Sequence, residues 1–214
     1  MEENLKLKTT KIFVISLDTE IGATRRSKLD YKYEWFKAND DSLDFIKTKM
    51  IHYWSAGQKS RKGKEGCLDS YYRLCKKIYE EKIDDVIIAE DDCQLIKLPD
   101  TMPNKLCYLN GLFINAKGWK KYNDFNKDTG VHKIDYSKSR VLGSWGIYIP
   151  KYTDVKKLID VIENSKRLRA WDIMIMKNQS IENYIYPSIF YINDEGVSQI
   201  SGKKPGKNSR KNYT

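Results

Sequence analysis

Three consecutive carboxylates, Glu90-Asp91-Asp92, follow the apolar run Val86-Ile-Ile-Ala89 with no basic residue between them. Anions crowded in this way repel one another, and a bound cation relieves the repulsion. Carboxylate oxygens are hard ligands that suit Mg2+ or Mn2+, ions that commonly share their shell with substrate phosphates. The location adds to the signal, because ligands of open α/β sheets bind outside the carboxyl ends of the strands. In extended chain Glu90 and Asp92 point one way and Asp91 the other. A pair so placed can hold a metal-diphosphate; the alternative is a solvated acidic turn.

A second acidic pair, Asp18 and Glu20, follows the apolar run Ile12 to Leu17. It resembles the first motif of the DnaQ-like 3'-5' exonucleases, whose two-metal chemistry needs several convergent carboxylates. The remaining exonuclease motifs fit poorly, since His132 and Asp135 are only three apart in a polar stretch. The only other histidine is His52, and a surface role suits both. Cys67, Cys75, Cys93 and Cys107 lack zinc-ligand spacing and read as thiols in a reducing compartment.

The elements that must position these residues alternate between strand and helix. Apolar runs predict buried strands at Ile12–Leu17, Asp85–Ala89 and Leu106–Asn115, the last with Gly111 inside it. Shorter strands are expected at Tyr33–Ala38, Gly146–Pro150 and Ser188–Ile192. Leu68, Tyr71, Tyr72, Cys75, Ile78 and Tyr79 recur at helical spacing, which predicts a helix over Gly66–Glu81. Thr153 is the expected N-cap of an amphipathic helix carrying Val155, Leu158, Ile159 and Ile162. Trp171–Lys177 reads as a short helix. The expected class is α/β, with a mainly parallel mixed sheet flanked by helices.

The chain has 214 residues, 40% hydrophobic and 12% aromatic, which excludes overall disorder and fits one domain. Its formal charge is +10, and Lys203, Lys204, Lys207, Arg210 and Lys211 supply half of it. Residues 1–201 therefore read as the folded domain and 202–214 as a basic, disordered tail. Lys59, Arg61, Lys62 and Lys64, beside Gly57 and Gly63, form a second basic cluster of loop composition. Such charge suits an anionic partner or a solvated surface, and peripheral membrane contact would run through the tail. With no apolar run of membrane-spanning length and no signal-peptide pattern, a cytoplasmic location is expected.

Taken in order, several segments resemble glycosyltransferase family 25, the lipopolysaccharide and collagen galactosyltransferase-like group. Ile12–Leu17 with Arg25 and Arg26 is similar to its opening strand and arginine loop, and Glu34, Phe36, Ala38 and Asp40 to its next stretch. Glu65-Gly66-Cys67-Leu68 with Ser70 resembles its helix start, with Tyr71 where the family has histidine. Glu90-Asp91-Asp92 is similar to its Glu-Asp-Asp motif, and Trp145–Pro150, Val155–Leu158, Asp172, Tyr186-Pro187, Ser198 and Ile200 to its later segments.

The resemblance implies a GT-A fold, a single Rossmann-like domain, and hexosyl transfer from a nucleotide sugar. A UDP-hexose donor, a glycan or glycoprotein acceptor and no nucleic acid are the expected partners. Mn2+ (or Mg2+) is expected on Asp92, with Glu90 as second ligand or ribose contact and Asp91 positioning the site. Arg25 and Arg26 would meet the diphosphate or base, which the arginine fork suits. Ser70 and Tyr71 would line the donor pocket. Inverting transfer needs a base for the acceptor hydroxyl, and Asp172 is the candidate because it sits among Trp171, Ile173 and Met174. Asp172 also suits a helix N-cap. Trp145 and Trp171 suit sugar stacking or core packing. The other readings are a DnaQ-like exonuclease using Asp18 and Glu20, and a non-catalytic module docking through the tail.

Overall fold

A computed structural model describes residues 10–39, 42–50, 58–99, 102–118, 120–143 and 145–192. Asp40, His52, Ser198, Ile200 and the tail 202–214 lie outside them, as does the side chain of Lys59. Strands β1 (Lys11–Leu17) and β3 (Val86–Glu90) are apolar almost throughout and buried on both faces, as central strands of a parallel sheet must be. They pair in parallel, with Ile15 opposite Glu90. Strand β2 (Glu34–Ala38) forms the edge beside β1, and its charged residues suit an edge. Strand β4 (Cys93–Leu95) leaves the main sheet.

The expected strand Leu106–Asn115 is instead two. Strand β5 (Cys107–Tyr108) joins the main sheet, and β6 (Leu112–Asn115) pairs with β8 (Ser139–Leu142) in a separate ribbon. The break falls at Asn110-Gly111, where Val141 approaches so closely that a Cβ on Gly111 would stand 2.2 Å from its Cγ1. Strands β7 (Gly130–Lys133), β9 (Gly146–Ile149) and β10 (Asn183–Tyr186) complete a seven-stranded sheet of order β2-β1-β3-β9-β5-β10-β7. Only β9 and β7 run against the other five. Strand β11 (Phe190–Ile192) pairs with β4.

Alternation along β1 splits the core in two. Phe13 and Ile15 face a layer built from helices α2 (Asp44–Lys49), α3 (Gln58–Glu80), α4 (Lys156–Glu163) and α5 (Trp171–Asn178). Ile12 and Val14 face the other side, where Phe190, Leu95 and Tyr31 cover the sheet. Helix α3 begins eight residues before Gly66, so Arg61, Lys62 and Lys64 are helical and not a loop. Lysine and arginine are good helix formers, and the packed apolar face from Leu68 onward sustains the helix through Gly63 and Gly66. Thr153 does not cap α4. It lies inside a 3-10 turn, Tyr152–Val155, whose first amide donates to Asp84 at 2.8 Å.

Candidate active site

Asp18-Thr19-Glu20 is a helix start. Thr19 caps α1 (Glu20–Arg26) by accepting from the Gly22 amide at 3.1 Å, and Glu20 sits in the first turn, where the helix dipole favours an anion. Asp18 pairs at the surface with Lys37, 2.8 Å away. His132 lies on β7 at the opposite end of the sheet order, so it and Asp18 do not converge. The exonuclease constellation is absent among the described residues. The segment expected as an arginine loop is this helix, and it delivers Arg25 and Arg26 to the acidic cluster.

Strand β3 ends at Glu90, and Asp91-Asp92 form the turn into β4. Asp91 is buried; it accepts from Arg25 Nη1 at 3.0 Å and from Ser16 Oγ at 2.6 Å. Arg26 donates to the same Ser16 hydroxyl at 2.7 Å and to the Leu17 carbonyl at 2.8 Å. Its guanidinium lies 3.9 Å over the Trp35 ring, and Trp35 donates to the Ser16 carbonyl. Both arginines thus lock β1 to the turn. Ser16 gave no sequence signal beyond its place at a strand end, yet it links the two.

Glu90 and Asp92 differ from Asp91. Glu90 accepts from the Tyr71 hydroxyl at 3.0 Å, and Arg25 is no nearer than 3.9 Å to Asp92. Burial first, then repulsion from Asp92 and Asp91, pushes Glu90 up to about 8, against the opposing hydrogen bond from Tyr71. Burial and Asp91 push Asp92 up to about 6, with Arg25 opposing. The sequence pattern singled out all three carboxylates, and the structure divides them: one is neutralised and two are held under strain.

Asp172 reaches the same place from α5. Ala170 is the N-cap of that helix, so Asp172 lies inside the first turn. Its Oδ1 accepts from the Ile173 amide at 2.8 Å. Burial raises its pKa, while the amides of Ile173 and Gly143 and the charge of Lys64 pull the other way. Gly143 has φ +79°, a conformation that favours glycine, and the Trp145 ring fills the space where a Cβ would be. Trp145 offers its carbonyl to the Glu90 amide at 3.3 Å and to Cys93 Sγ at 3.1 Å. Glu90, Asp92 and Asp172 all raise the thiol pKa of Cys67 on α3, behind the effect of burial. The strand-end carboxylates and the helix-borne Asp172 are therefore electrostatic neighbours, with Cys67 and Tyr71 beside them.

Ser70 is fully buried. Its hydroxyl donates to the Gly66 carbonyl at 2.6 Å and accepts from the Asn39 amide at 3.1 Å, so it ties the end of β2 to α3 and turns no face to a ligand. Trp171 is core, stacked 4.5 Å from the Tyr71 ring, and so keeps Tyr71 aimed at Glu90.

The sequence profile of glycosyltransferase family 25, described as a lipopolysaccharide biosynthesis protein, matches residues 9–143, more than half of the chain. The chain belongs to glycosyltransferase family 25. As a family 25 member it is a glycosyltransferase, and the match spans Arg25, Arg26, Glu90, Asp91, Asp92 and Gly143 but not Asp172. No curated protein matches the chain. Among solved structures, the CTP:phosphocholine cytidylyltransferase of Streptococcus pneumoniae is similar at 13% identity and a TM-score of 0.41, covering 88% of this chain and 95% of that one. No helix among the described residues of this family 25 chain is long and apolar enough to cross a membrane.

Proposed function

We propose that the protein transfers a hexose from a nucleotide sugar, a UDP-hexose by preference, to a hydroxyl of a glycan or protein-linked acceptor, with inversion. The supporting observation is the division of labour among the three carboxylates. Asp91 has a cation and a hydroxyl already, while burial and mutual repulsion hold Glu90 and Asp92 above their ordinary pKa values. A divalent cation fits there, because it would relieve both effects. Asp92 and Glu90 would hold Mn2+ or Mg2+. Among the described residues no group of three or more His, Cys, Asp or Glu side chains is placed to hold a metal ion, so two carboxylates would be the protein's share. The diphosphate and water would complete the shell, as is usual for Mg2+ with phosphates. When bound, the metal supplies Lewis-acid stabilisation of the departing diphosphate.

The remaining work falls to side chains. Arg25 and Arg26 hold the Asp91 turn against β1 and so fix the position of the neighbouring Asp92. Tyr71 donates to Glu90 and keeps one of its oxygens oriented. Asp172 takes the proton from the acceptor hydroxyl as that oxygen attacks the anomeric carbon and the bond to the diphosphate oxygen breaks. Its raised pKa makes it a stronger base than a solvated aspartate. Transfer to acceptor should be Mn2+-dependent and should disappear in Asp92→Ala with the fold intact; undiminished turnover in that variant would refute the proposal.

A further inference from the structure

A cavity opens at the carboxyl ends of β5 and β10. Tyr108, Phe113, Phe125 and Tyr184 line it, and Asn110 stands in its wall. Asn110 is 3% exposed, and among the described residues neither its side-chain nitrogen nor its oxygen has a hydrogen-bond partner. A buried amide left unsatisfied is costly, so its presence among aromatic rings suits a ligand group that supplies the missing bonds. The rings form an apolar wall: Phe113 and Phe125 stack at 4.1 Å, and Tyr184 meets Phe113 edge-on at 4.7 Å. Exposed Lys121 and Lys127 complete the rim. Mostly apolar walls with one placed polar group are the usual make-up of a small-molecule site.

The cavity lies on the same side of the sheet as the carboxylates, at the carboxyl ends of the parallel strands. Strand β9 alone separates β5 from β3, which sets β5 about 10 Å from β3 at two strand spacings. Val141 in β8 lines the cavity, Gly143 supports Asp172, and Trp145 bonds Glu90, all within five residues of one segment.

We infer that this cavity binds a pyranose ring of the acceptor, its C–H face against the aromatic wall and adjacent hydroxyls on the Asn110 amide. An amide both donates and accepts, which matches a pair of neighbouring hydroxyls. The word acceptor rests on the transferase reading; the sugar site itself does not.

The test uses the full chain with Mn2+ present, saturation-transfer NMR with methyl β-D-galactopyranoside and methyl β-D-glucopyranoside, and UDP titration with Mn2+ in parallel. At least one pyranoside should bind the native protein. Asn110→Leu, close in shape, should weaken that binding at least about tenfold, since it removes both hydrogen bonds of the amide, while UDP affinity stays unchanged. Because the Asn110 amide has no partner among the described residues, the same substitution should leave the melting temperature equal or higher. Should Asn110→Leu not fold, Tyr122→Leu at the half-exposed edge of the cavity carries the test and should weaken the pyranoside likewise. No pyranoside binding to the native protein, or unchanged binding in the variants, overturns the inference. Pyranoside binding without UDP binding would keep the cavity as a sugar site and refute the donor reading instead.

Discussion

Replacing Arg25 with methionine separates bracing of the acidic turn from direct contact with a substrate. Asp91 is 6% exposed and would lose the guanidinium now 3.0 Å away, keeping the Ser16 hydroxyl. Removing one partner of a buried ion pair costs about 3–5 kcal/mol, because the other charge stays buried. For a chain of this size that lowers the melting temperature by about 6–20 °C. Asp91→Asn removes the charge that creates the penalty. Arg25 is not stranded by that change, since Asp92 lies 3.9 Å from it. The double variant Arg25→Met/Asp91→Asn should therefore recover at least about 2 kcal/mol relative to the sum of the single losses. Urea unfolding of the four proteins gives the coupling energy. If Arg25→Met melts with the native protein while UDP affinity falls tenfold, Arg25 is a ligand contact and the bracing argument is wrong.

Glu90 titrates upward in the folded state, so between its ordinary value of 4.5 and about 8 the native protein holds more protons than the unfolded chain. Metal-free stability should fall as pH rises across that window, and Glu90→Gln should flatten the fall and melt higher at its upper end; a flat native profile would contradict the burial of the carboxylate. Added Mn2+ should restore most stability at the alkaline end, measured by the same melts, because there its ligands are ionised. Gly143→Ala forces a side chain into a positive-φ position already filled by the Trp145 ring, at a cost of about 2 kcal/mol. It should also reduce turnover through Asp172, and a variant with native melting and kcat would remove the loop from the account. Asp172→Asn should lower kcat at least about 100-fold with UDP affinity retained, and a loss confined to KM would show that Asp172 binds substrate without acting as base.

The residues with chemical signatures were legible in the sequence, and the reasons for their differences were not. Apolar runs located β1 and β3, and the burial they imply put Glu90-Asp91-Asp92 at a carboxyl end of the sheet. The pattern could not say which carboxylate is neutralised, because Arg25 approaches from 66 positions away. Asp18-Thr19-Glu20 shows how a capping signature and a metal motif use the same residues; only the accepted Gly22 amide decides. The basic run before Gly66 has loop composition, yet packing from Leu68 onward carries the helix back to Gln58. Strand prediction failed at Gly111 because the contact with Val141 is long-range. Asn110 offered no signal, since a lone asparagine beside a glycine reads as a turn and only the cavity makes its unpaired amide visible.

Calorimetric titration of UDP into the protein, with and without Mn2+, tests the central claim most directly. UDP should bind only with Mn2+ present, and that binding should be lost in Asp92→Ala, whose fold persists. UDP binding that is absent with the metal, or that survives unchanged in Asp92→Ala, would contradict it.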